Sequence, residues 1–190
     1  MFYRLGEDKV AQYRIKIRSS YNDRNVVVED AEGMLVGTIK NAVADKCDVR
    51  NTYSFTNKDD DELILALKLL RFWDWNVGKY FVIFNNETEI IKETPGHNLI
   101  LFRAEGKIDG ARFVAKETND GHLKMLLDKE TICTIEEKPG VVGAFIDMND
   151  DIEAHSKIFG VCVLMYFMFK QYLRQSSVLE DVLNQQEEHA

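Results

Sequence analysis

The chain has 190 residues, 45% of them hydrophobic, with only two prolines and eleven glycines. That composition excludes a disordered or fibrous chain and allows a single domain with a sizeable core. A net charge of −8 and a pI near 5.1 disfavour nucleic acid as a partner of the whole surface.

The N-terminal stretch 1–9 holds no apolar signal-peptide segment, so the chain reads as unexported and cytoplasmic, free or peripheral to a membrane. Tyr13-Arg-Ile-Lys-Ile-Arg18 alternates with period two, which predicts a strand with Tyr13, Ile15 and Ile17 inward and Arg14, Lys16 and Arg18 outward. Residues 26–40 read as strand, turn at Asp30–Gly33, strand. Residues 48–56 form a further strand, and the polar run 57–61 a turn. Glu62–Arg71 has a helix-favouring composition, yet it is short and set among strands, so a strand is predicted. Lys79–Phe84 and Thr88–Glu93 make a hairpin about Asn85–Glu87, stopped by Pro95-Gly96. Strands follow at 99–105, 111–117, 123–127 and 131–137, divided by turn signals at 108–110, 119–121 and 128–129. Val141–Met148 is the last.

Three of these pieces, 26–40, 80–93 and 123–137, repeat one pattern of strand, charged turn and strand ending in isoleucine plus a charge. Recurring short hairpins mark a sandwich or a barrel. After them comes Ile158–Phe169, twelve apolar residues in a row. They are apolar on every side of a helix and too few for a membrane span, which takes about 18 or more. A helix enclosed by protein is the remaining solution, and a barrel closed around it removes the sheet edges as well.

The predicted fold is therefore mainly β with one α element: a closed antiparallel β-barrel of about twelve strands around a hydrophobic C-terminal helix. The domain runs over 1–175 with the helix at about 150–174. Asp150 and Glu153 have capping-box spacing, and Asp147, Asp150 and Asp151 suit the positive dipole end. Lys170 and Arg174 suit the other end. After Ser176-Ser177, Val178, Leu179, Val182 and Leu183 predict a short amphipathic tail over 176–190, fraying at its end.

Hairpins of this form, then a strand, an acidic turn and a buried C-terminal helix, resemble the tubby C-terminal-like superfamily. That group holds tubby domains, plant LURP-one-related proteins and phospholipid scramblases. The residues that carry the resemblance are Asp30–Lys40, Leu67–Trp75 leading into Tyr80–Phe84, Gly110–Lys116 and Asp147–Phe169. The resemblance implies a twelve-stranded barrel about the helix. Tubby domains bind phosphoinositides through clustered basic residues, and no such cluster aligns here. The cysteine-rich stretch of scramblases is absent too.

Candidate sites are few. Arg14, Lys16 and Arg18 form a basic stripe suited to an anionic headgroup. Trp73 and Trp75 suit contact with a membrane interface or a partner, or packing under a rim loop. Asp147-Met-Asn-Asp-Asp151 opens like a calcium loop but has Ile152 and Ile158 where that loop needs Gly and Glu, so no metal is expected. The histidines stand alone, and no GxSxG, Walker loop, GxGxxG or CxxC occurs, so neither catalytic residues nor a cofactor are expected. The expected function is non-catalytic binding of an anionic phospholipid or a membrane-proximal protein. The alternatives are a structural or regulatory module that self-associates through 176–190 and, third, an enzyme.

Overall fold

A computed structural model describes residues 10–20, 23–68, 78–94 and 101–187, with side chains left out at 18–20, 23–25 and 175–187. Twelve strands run in chain order. They are β1 Val10–Ser20, β2 Asp23–Asp30, β3 Leu35–Asn41, β4 Cys47–Asn57, β5 Glu62–Lys68 and β6 Lys79–Phe84. Then come β7 Glu87–Glu93, β8 Arg103–Ile108, β9 Ala111–Glu117, β10 Leu123–Leu127, β11 Glu130–Glu136 and β12 Ala144–Asn149. Each pairs with its neighbour in sequence, and β1 pairs with β12, so the sheet closes into an antiparallel barrel. One helix, α1, spans Lys157–Glu187.

Local sequence explains the closure. The hairpin turns at Asn85-Asn86, Asp109-Gly110 and Asp128-Lys129 all have positive φ, the backbone that matches strand twist in two-residue hairpins. Alternation then puts one residue in two inside. Phe55, Leu65, Val82, Ile91, Phe113, Met125 and Ile146 are all almost completely buried. The predicted strand at 141–148 starts at Ala144 instead. The chain first turns at Lys138–Val141, and at Gly143 (φ 114°) it passes so close to the Ile15 carbonyl that a Cβ has no room.

The helix fills the interior. Phe159 and every residue of Val161–Met165 are 0% exposed, and five consecutive residues cover all faces of a helix. Phe159 touches the rings of Tyr13 on β1 and Phe55 on β4, while Phe169 meets Phe102 just before β8. Opposite walls of the barrel thus meet on α1.

Both helix ends differ from the sequence expectation. The helix begins at Lys157, not near Asp150. Asn149 takes the N–H groups of Asp151 (2.9 Å, on Oδ1) and Ile152 (2.9 Å, on its carbonyl), which locks a turn where the capping box was predicted. Ser156 caps instead, its Oγ accepting Phe159 N–H at 3.2 Å. The first turn carries no acid. Lys157 stands there against the dipole, and two barrel carboxylates compensate: Glu89 at 2.5 Å and Asp109 at 2.8 Å. At the far end α1 continues unbroken through Ser176-Ser177, 31 residues in all, or roughly 46 Å. No glycine or proline follows Gly160, so nothing stops it; the predicted separate tail is an extension of the core helix over 176–187.

Candidate anion-binding wall and the two ends of the barrel

The helix defines two ends. At the lower end it starts, among the turns 31–34, 58–61, 85–86, 109–110, 128–129 and 149–156. At the upper end it leaves, with its Phe167 against Tyr53 and its Tyr172 against Phe102.

The predicted basic stripe lies on β1, and the structure commits two of its members elsewhere. Lys16 Nζ sits 2.6 Å from Glu29 on β2, whose carboxylate side chain is only 4% exposed. Arg14 lies over the Phe145 ring at 5.0 Å, with Lys138 over the same ring at 4.3 Å. The side chain of Arg18 falls outside the described residues, as do Trp73 and Trp75. Ile17, predicted inward, is 51% exposed. The reason is stagger: β12 stops pairing at Ile15, so Lys16–Ser20 pairs with β2 alone and stands beyond the β12 end of the wall.

A different basic surface emerges from register. On β6 and β7 the inward residues are Tyr80, Val82 and Ile91, which turns Lys79 and Lys92 outward. These two lysines are direct cross-strand partners. On β5, Leu67 pairs with Tyr80, which brings Lys68 level with Lys79. Farther round, Arg103 of β8 is opposite Lys116 of β9, and Lys116 is opposite Lys124 of β10. Both rows lie toward the upper end. Glu105 is the carboxylate between them. Arg103 and Arg112 both reach it at 2.6 Å, and the hydrogen bond from Arg112 chiefly holds its carboxyl below the usual range against the opposing effect of burial. Among the described residues, Lys79, Lys92, Lys116 and Lys124 have no carboxylate within 4.0 Å. Directly opposed like charges destabilise a sheet, so this arrangement costs stability and leaves positive charge unspent. A cleft of about 350 Å³ opens beside Arg103 and Lys116 at the upper rim.

The lower end has the opposite character. Asp30, Glu32, Asp59, Asp60, Asp61, Asp150, Asp151 and Glu153 all belong to its turns. A groove of about 700 Å³ runs there between the start of β1 and the β2–β3 turn, with Lys58, Ala154 and His155 closing it. Tyr13 lines it; burial, then Asp150 and Asp30, push its hydroxyl pKa up. In the acidic run 147–151, Asp147 accepts the Gln12 side-chain amide from β1 at 3.2 Å, and Asn149 accepts the Asp151 N–H at 2.9 Å. Among the described residues no group of three or more His, Cys, Asp or Glu side chains is placed to hold a metal ion. No helix among them is long and apolar enough to cross a membrane.

Sequence reasoning missed the lysine rows because their members lie on separate strands; only the pairing register joins them. Comparison with protein-family models, with curated proteins and with solved structures returned no match.

Proposed function

We propose that this chain is a non-catalytic binding domain that docks on an anionic phospholipid surface through the upper part of its β5–β10 wall. One observation carries the reading: Lys79–Lys92 and Arg103–Lys116–Lys124 are like-charged cross-strand rows on a protein of net charge −8. A fold that keeps such costly rows has a use for the field they make. A lysine near an anionic leaflet contributes about 1 kcal/mol, so a handful suffices for reversible attachment. The barrel around a central helix is the architecture that the tubby-like resemblance implies, and lipid binding is known in that superfamily, which supports the same reading.

The test is co-sedimentation with phosphatidylcholine vesicles, with and without phosphatidylserine, at low and high salt. Binding is expected to require the anionic lipid and to weaken with salt. Replacing Lys79, Lys92, Lys116 and Lys124 with Gln should remove it, while Arg14→Ala with Lys16→Ala should leave most of it. Equal binding to neutral vesicles, or full binding by the four-lysine variant, defeats the reading.

A further inference from the structure

We propose that the groove at the lower end is a docking site for an extended peptide, which adds to the open edge of β1 and carries a basic residue. The first support is backbone. Val10, Ala11 and Gln12 pair with β12, opposite Asn149, Met148 and Asp147. On its other side β1 gains a partner only at Tyr13, opposite Asp30. Beyond Asp30 the chain leaves the sheet through the turn to Met34, and the β2–β3 register shifts at Val28/Glu29. The start of β1 is therefore a short strand edge with one side unpaired among the described residues. An open edge is the template on which extended peptides add as a further strand.

The second support is the shape beside that edge. The groove holds about 700 Å³, within the range of natural ligand clefts. Its rim is apolar where a monomer's turn would be polar: Val10 is 50%, Met34 67% and Leu35 50% exposed. A strand added here would turn alternate side chains onto these three.

The third is charge. Asp30 and Glu32 sit on the lip; one Asp30 oxygen takes the Met34 N–H at 2.8 Å, which leaves the other for a ligand. Lys58 and His155 stand across the groove, His155 beside Glu153 at 3.0 Å, within turns that are otherwise rich in carboxylates. Apolar side chains alternating with polar ones, and a lysine or arginine against Asp30 and Glu32, match this surface. An acidic peptide does not.

Panning a random linear peptide library on the full chain tests this, with counter-selection on the Met34→Asp/Leu35→Asp variant, whose changes fall on exposed positions and whose fold is checked by circular dichroism. Enriched peptides should alternate apolar residues and carry Lys or Arg. A synthetic copy should lose about tenfold or more in affinity when its edge-facing amides are N-methylated, since that removes the ladder bonds. No enrichment over the variant overturns the proposal. So does a consensus that is acidic or has helical periodicity, or an affinity indifferent to N-methylation. Concentration-dependent dimer mass that the double variant abolishes would give the groove to a second copy and overturn it equally.

Discussion

Lys79→Glu separates the cost of the lysine rows from their use, because it should move stability and binding in opposite directions. Lys79 lies between Lys92, its cross-strand partner, and Lys68, level with it on β5. The substitution turns two like-charged neighbours into two opposite-charged ones. Each such exchange is worth a few tenths of a kcal/mol on a solvated strand face, so a gain of about 0.5–1 kcal/mol is expected. That raises Tm by about 1–4 °C for a chain of this size. On an anionic vesicle the same change removes one attraction of about 1 kcal/mol and adds a comparable repulsion, or roughly a 30-fold loss in partition coefficient. Urea unfolding and vesicle co-sedimentation on one preparation measure both. High salt should shrink both effects together. A variant that is less stable, or that binds vesicles as the parent does, refutes the claim that these lysines are held at a cost for an anionic partner.

Other expectations follow from the core. Leu164 is 0% exposed at the middle of α1. Leu164→Asp buries an unpaired carboxylate at several kcal/mol, against a total stability of about 5–15, and should give an unfolded chain by circular dichroism; a folded, soluble variant would show that the helix is not enclosed. Cys133 and Cys162 are 1% and 0% exposed. Burial, then the hydrogen bond between them, holds the Cys133 thiol well above its usual range. Both should therefore resist a thiol reagent at neutral pH and react at the rate of unfolding; fast labelling of the folded chain would contradict their placement. Tyr80 is buried, donates its hydroxyl to Glu93, and titrates well above the ordinary 10.0 because of that burial and that carboxylate. A raised folded pKa means its contribution is complete below about pH 10 and is lost as pH rises toward the folded value. Tyr80→Phe should cost about 1–3 kcal/mol at neutral pH by leaving Glu93 short of a donor, and should flatten the alkaline fall in stability. Urea midpoints from neutral to strongly alkaline pH decide it, and parallel curves for the two proteins would sink the assignment.

Strands and turns were legible because the signals are local. Period-two alternation at Tyr13–Ile15 and positive-φ residues such as Asn85, Asn86 and Gly110 act within a few positions. Glu62–Lys68 has a helix-forming composition, and pairing on both sides with β4 and β6 overrides it. The start of α1 was misjudged because Asp150 and Glu153 have the right spacing for a cap, but Asn149 binds two of the backbone N–H groups that helix would have used. The surroundings of the candidate site were less legible, for the converse reason. Arg14 and Lys16 form a visible stripe, but their partners Phe145 and Glu29 arrive from other strands. Lys79, Lys92, Lys116 and Lys124 form no motif, and only the closed register assembles them.

The same register gives the molecule a polarity that the net charge hides. Carboxylates crowd the turns at the lower end, while Lys79, Lys92, Lys116 and Lys124 lie toward the upper end. On an anionic surface the repelled carboxylates and attracted lysines act as one torque, so the barrel should settle with its upper wall against the lipid. The groove beside Asp30 and Glu32 then faces solution, on the side away from the membrane. Charge separation would thus serve two partners at once without overlap. A peptide selected on the free protein should bind the vesicle-attached protein with the same affinity, read by anisotropy in the presence of phosphatidylserine vesicles. Displacement of the peptide by vesicles would mean that the two surfaces coincide, and the polarity would then have no functional sense.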